Sequence, residues 1–110
     1  MNLSREQAIA EHRKMWDWIV HETDKLKRKV EKSEYFDAIR IDYIPYNGCY
    51  CCEFNDQNPF HCGCDCIINW GKGLGCMESY FLKWGSTNNW QKAERLARII
   101  AELPEMRADE

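Results

Sequence analysis

A seam of mostly apolar side chains runs through the first third of the chain. Ile9, His12, Trp16, Ile19, Thr23, Leu26 and Val30 recur at alternating steps of three and four. That spacing places them on one face of an α-helix. Ser4 and Gln7 stand at capping-box distance just before the seam, so the helix is predicted to start there and run over residues 4–32. At 1.5 Å per residue it would be about 43 Å long, which favours packing against a partner or a second copy. A second stripe, Trp90, Ala93, Leu96, Ala97, Ile100 and Leu103, predicts a C-terminal helix over residues 88–103, with Thr87 or Asn88 as its cap and Pro104 as its stop. Between them, Ser33 is a candidate cap for a short helix. Ile39-Arg40-Ile41-Asp42-Tyr43 alternates like a strand, and Pro45-Tyr46-Asn47-Gly48 reads as a turn. The expected fold is one mainly α domain, 1–110. Its two long helices pack antiparallel, joined by a cysteine-rich module at 45–77 with little or short β structure.

The 110 residues allow one small core, and the cysteines change what that core must do. All seven fall between Cys49 and Cys76. The opening Met1-Asn2-Leu3-Ser4-Arg5-Glu6 is polar, so no secretory signal is expected. No apolar run approaches a membrane span. The chain is therefore expected in the cytoplasm, where thiols stay reduced and clustered cysteines favour metal over disulfides. Cys49 and Cys52 form a C-x-x-C pair, which a tight turn can bring onto one tetrahedral ion. Cys62, Cys64 and Cys66 offer the second half. The first-choice ligand set is Cys49, Cys52, Cys62 and Cys66, holding one structural zinc. Cys64 is the main substitute for Cys62, and Cys76 is a ligand if the loop after Trp70 folds back. Cys51 and Cys76 otherwise read as packing thiols. An iron–sulfur cluster is the alternative cofactor. Zinc can supply about 10–16 kcal/mol of apparent folding energy to a segment that buries little.

Charge narrows the partners. Residues 33–86 carry three basic and seven acidic side chains, an acidic cysteine region. The formal charge of -3 is unlike that of a nucleic-acid binder. The basic stretch Lys25, Lys27, Arg28, Lys29 and Lys32 reads as a solvated helix end. Gly71-Lys72-Gly73-Leu74-Gly75 fits neither phosphate-binding fingerprint and reads as a turn. His12 is expected in the core with a hydrogen-bond partner, His21 in solvent, and His61 is an outside ligand candidate. Trp16 and Trp90 belong to the helix stripes. Trp70 and Trp84 are expected to cap the cysteine module. Trp18, pointing away from the seam, is a candidate interface anchor unless Met15 or Val20 marks a second buried face.

Several short motifs resemble small cysteine-rich proteins encoded by bacteriophages and prophages. They are Trp16-Asp17-Trp18-Ile19, Tyr35-Phe36, Cys49-Tyr50-Cys51-Cys52-Glu53-Phe54, Cys66-Ile67-Ile68-Asn69-Trp70 and the ending Trp90…Ala93…Leu96-Ala97…Leu103-Pro104. In that group a C-x-x-C followed by proline fills the second half, where this chain has C-x-C-x-C followed by isoleucine. Cys49, Cys52 and Cys66 carry over by position. The resemblance implies a viral accessory role in a host bacterial cytoplasm and brings no established activity. The leading expectation is a zinc-stabilised, non-enzymatic protein that binds and inhibits a host protein. A nucleic-acid-binding zinc protein using the basic end of the first helix, and a nucleotide-sequestering protein, are the alternatives.

Overall fold

The computed structural model describes residues 3–41, 43–45, 48–57, 67–70 and 79–105. Five helices lie among them: α1 (Arg5–Leu26), α2 (Lys32–Ile39), α3 (Tyr50–Gln57), α4 (Tyr80–Ser86) and α5 (Trp90–Glu102). No helix of the described residues is long and apolar enough to cross a membrane.

The start of α1 follows local chemistry. The Ser4 hydroxyl accepts the Gln7 N–H at 3.1 Å, and the Gln7 amide accepts the Ser4 N–H at 2.9 Å. Its end comes earlier than the seam predicts. Lys27 turns left-handed, with φ 58°, while its N–H closes on the Thr23 carbonyl at 2.9 Å. The reversal lets Val30 bury and leaves Leu26 half exposed. Ala8 and Met15 on one flank of the seam and Val20 on the other are also buried, which widens the inward face of α1 beyond a two-residue seam.

The α1–α5 pair forms the body of the fold. Its core joins Ile9, Trp16 and Ile19 to Ala93, Ala97 and Ile100, each nearly or fully buried. The two helices run antiparallel. Arg5 meets Glu105 at 3.3 Å, the Arg13 guanidinium donates to the Leu103 carbonyl at 3.2 Å, and at the other end Lys27 lies over the Trp90 ring. The cap of α5 is Asn89, whose side chain accepts the Lys92 N–H at 3.0 Å, rather than Thr87 or Asn88. α4 packs on α5 and brings Trp84 edge-on to Trp16, with ring centroids 4.8 Å apart. Trp84 therefore belongs to the helix bundle, where the sequence reading made it a cap on the cysteine module.

Two further expectations change. The stretch from Ile39 to Tyr43 is no strand in its described residues. Ile39 ends α2, and Arg40 caps it in the left-handed region with φ 53°. Alternation over five residues is too short to override the α2 pattern set by buried Tyr35 and Phe36. Among the described residues the β structure is one isolated bridge, Ile68 with Glu105, extended by an Asn69 N–H bond to the Pro104 carbonyl at 2.9 Å. The basic stretch is a solvated end only in part: Lys25, Lys27 and Arg28 are exposed, whereas Lys29 and Lys32 are drawn into the fold. Lys29 is mostly buried over Trp84 and reaches the Gly85 carbonyl at 3.3 Å. Lys32 lies over Phe81, and Arg28 grips Glu34 through two bonds of 2.7 and 3.1 Å. Long aliphatic stems cover apolar rings while their charges find carboxylates and π-faces.

Candidate functional site

Gly48 sets the cysteines in place. Its N–H closes a turn onto the Pro45 carbonyl at 2.7 Å, and its φ of 61° suits a residue without a Cβ. Cys49 follows as the residue that caps α3. Its carbonyl accepts the first helical bond, from the Glu53 N–H at 3.0 Å, and its sulfur accepts the Cys52 N–H at 3.4 Å. A thiol thus fills the place that a serine hydroxyl fills in an ordinary cap. The C-x-x-C spacing puts Cys52 on the amide that reaches back.

Three thiols meet at this helix start. Hydrogen bonds from the Cys51 and then the Cys52 side chain, joined by the Cys52 N–H, hold the Cys49 thiol well below its ordinary value, against the opposing effect of burial. Cys49, Cys51 and Cys52 carry no disulfide. Cys49 and Cys52 are partly exposed, whereas Cys51 is sealed at 0%. A stabilised thiolate is both a metal ligand and a nucleophile.

His12 faces this region from α1. It is 1% exposed, and neither ring nitrogen has a hydrogen-bond partner among the described residues. Burial lowers its pKa to about 4, with weaker opposing pulls from the Cys49 thiolate and the Ile100 backbone. The imidazole is therefore neutral at pH 7. Its ring stands edge-on to Trp70 at 6.0 Å. Trp70 in turn accepts the Ser79 hydroxyl on its carbonyl at 2.7 Å. The His12–Trp70 contact docks the far end of the cysteine segment on α1. No sequence signal links His12 to Cys49, because the contact between α1 and α3 is tertiary.

Glu53 is a second buried group that sequence reasoning missed. It is 3% exposed, and its carboxylate accepts the Tyr43 hydroxyl at 3.0 Å. This bond ties the stretch before the turn to α3. Ile39, Tyr43 and Ile44 in that stretch remain 37%, 50% and 57% exposed. Trp18 packs edge-on against Tyr35 of α2 at 5.4 Å and is half-buried. His21 is exposed, as its place off the seam predicts.

Of the first-choice ligands, the structure places Cys49 and Cys52 together. Cys62 and Cys66 lie outside the described residues, as do Cys64, Cys76, His61 and the glycine stretch 71–75. Among the described residues no group of three or more His, Cys, Asp or Glu side chains is arranged to hold a metal ion. A groove of about 330 Å³ between α1 and α5, lined by Arg13, Lys14, Asp17, Val20, Arg98, Ala101 and Glu102, mixes both signs of charge. Comparison with known proteins finds no match to a family model, to a curated protein or to a solved structure.

Proposed function

We propose that this chain is a non-enzymatic binding protein whose contact surface is organised by a zinc–thiolate centre. The observation that carries the binding reading is the exposed apolar stretch Ile39, Tyr43 and Ile44, fastened to the cysteine helix by the Tyr43–Glu53 bond. Large apolar side chains held in solvent beside a fixed helix suit burial against a protein partner.

Cys49 and Cys52 are the first half of the zinc site, completed by two of Cys62, Cys64, Cys66 and Cys76. Their fit to zinc rests on donor chemistry: adjacent sulfurs, one of them a favoured thiolate, on a rigid helix start. Cysteine-only coordination would make the ion structural, with no open position for chemistry. The role of a phage factor that blocks a host protein rests on the sequence resemblance alone. The nucleic-acid reading has less to draw on, since Lys29 and Lys32 lie over rings of the fold and Arg28 is paired with Glu34.

Co-purification from bacterial lysate tests the surface. Wild type should retain a partner that the Ile39→Glu, Ile44→Glu double variant loses. Equal retention by both rejects this surface. Elemental analysis tests the metal: a single zinc ion per chain is expected, lost in Cys49→Ser and in Cys52→Ser.

A further inference from the structure

We propose that Leu103-Pro104-Glu105 is a strap that clasps residues 67–70 onto α1, and that strap and segment open as one unit while the α1–α5 pair stays closed. The inference stands on backbone and ion-pair geometry and needs neither the binding nor the zinc reading.

The strap begins where α5 stops. Leu103 leaves the helix in extended geometry, with ψ 139°, and Pro104 has no N–H with which to continue it. The chain then runs between two partners. On one side is α1, whose Arg13 guanidinium donates to the Leu103 carbonyl at 3.2 Å and whose Arg5 pairs with Glu105 at 3.3 Å. On the other is the segment 67–70. There Glu105 forms its bridge with Ile68, and the Asn69 N–H donates to the Pro104 carbonyl at 2.9 Å. The segment lies between Cys66 and Cys76, so the strap ties the second half of the cysteine region to the helix bundle.

What the strap holds down is apolar. Ile67 and Ile68 are each 1% exposed, and Trp70 is buried against His12. The fastenings themselves are polar and lie at the edge of the fold. They are an ion pair whose carboxylate side is half exposed, a guanidinium–carbonyl bond and a backbone bond. Water can replace each of them at modest cost. The α1–α5 contact rests instead on fully buried Ile19, Ala93, Ala97 and Ile100. A unit held at an edge by a few polar contacts opens at lower free energy than the core beside it.

Amide hydrogen exchange followed by NMR on the full chain tests this. The Asn69 N–H reports on the segment, and the Ile19 and Ala97 N–H groups report on the bundle. In wild type, Asn69 should exchange at least about tenfold faster than either helix reporter, with a shallower dependence on urea. The Arg5→Ala, Arg13→Ala double variant loosens the strap on its α1 side and should speed Asn69 about tenfold. Ala93→Gly weakens α5 at the end away from the strap. It should speed Ile19 and Ala97 about fivefold and leave Asn69 within about twofold, because closed and strap-open forms lose the same helix stability. If the double variant does not fold, Pro104→Gly replaces it: this exposed position gains chain freedom, and Asn69 should again exchange severalfold faster. The proposal is overturned if Asn69 exchanges no faster than the helix reporters in wild type, if it follows them in Ala93→Gly, or if loosening the strap leaves it unchanged.

Discussion

At the scale of single residues, His12 carries a measurable consequence. Unfolded, its imidazole protonates near 6.5; folded, only near 4, because burial disfavours the charge. Between those values the unfolded chain holds more protons, so acidification favours unfolding. Stability should be insensitive to this group above pH 6.5 and fall by up to about 3 kcal/mol as pH drops to 4. Urea unfolding across that window should show the slope, and His12→Leu should flatten it. An equal slope in the variant would assign the loss to other groups. His12 was legible as buried because it lies on the α1 seam. Its nearness to Cys49 and its edge contact with Trp70 were not, since both depend on how α3 and Trp70 dock. The same division holds at Cys49. Its spacing to Cys52 is local and readable, while the covering of Cys51 and the exposure of its neighbours belong to the tertiary structure.

Among the elements, turns decide where helices stop. Lys27 and Arg40 both end a helix in left-handed geometry that favours glycine, at a cost of about 1 kcal/mol each. Arg40 is exposed, so Arg40→Gly should raise stability by about 0.5–1 kcal/mol in thermal or chemical unfolding. Gly48→Ala, at φ 61°, should lower it by about 1 kcal/mol. Its Cβ would meet the Phe36 ring at an ordinary 3.6 Å, so the penalty lies in the backbone. Lys29→Ala should cost about 1–2 kcal/mol through lost cover of Trp84, against a change within about 0.5 kcal/mol for the exposed Lys25→Ala. If the two lysines behave alike, the Lys29–Trp84 contact contributes nothing. Ser4 and Gln7 were readable because a capping box spans four residues. The break at Lys27 was not, since no glycine or proline marks it and the seam continues to Val30. α3 and α4 escaped notice because cysteines at one and glycine and serine at the other mask short helical patterns.

For the molecule as a whole, the antiparallel α1–α5 pair was legible from two apolar stripes of matching period. The α1–α5 contact closes through the apolar side chains of Ile9, Trp16, Ile19, Ala93, Ala97 and Ile100, and Cys51 joins the same core from α3 as a buried thiol. Stripping metal with a chelator should therefore leave most of the far-UV helical signal intact. Collapse of that signal would show that the bundle depends on the cysteine region. The pairing also has a consequence for the order of events during synthesis. The inward face of α1 leaves the ribosome early, yet its main cover, Trp90–Glu102, is made more than sixty residues later. At about 5–20 residues per second, several seconds pass with Trp16, Ile19 and Val20 waiting for their neighbours. During that interval the nascent chain offers an amphipathic helix to chaperones and to other nascent copies. Crowded, rapid expression should then favour aggregation, and slower synthesis should raise the yield of folded chain.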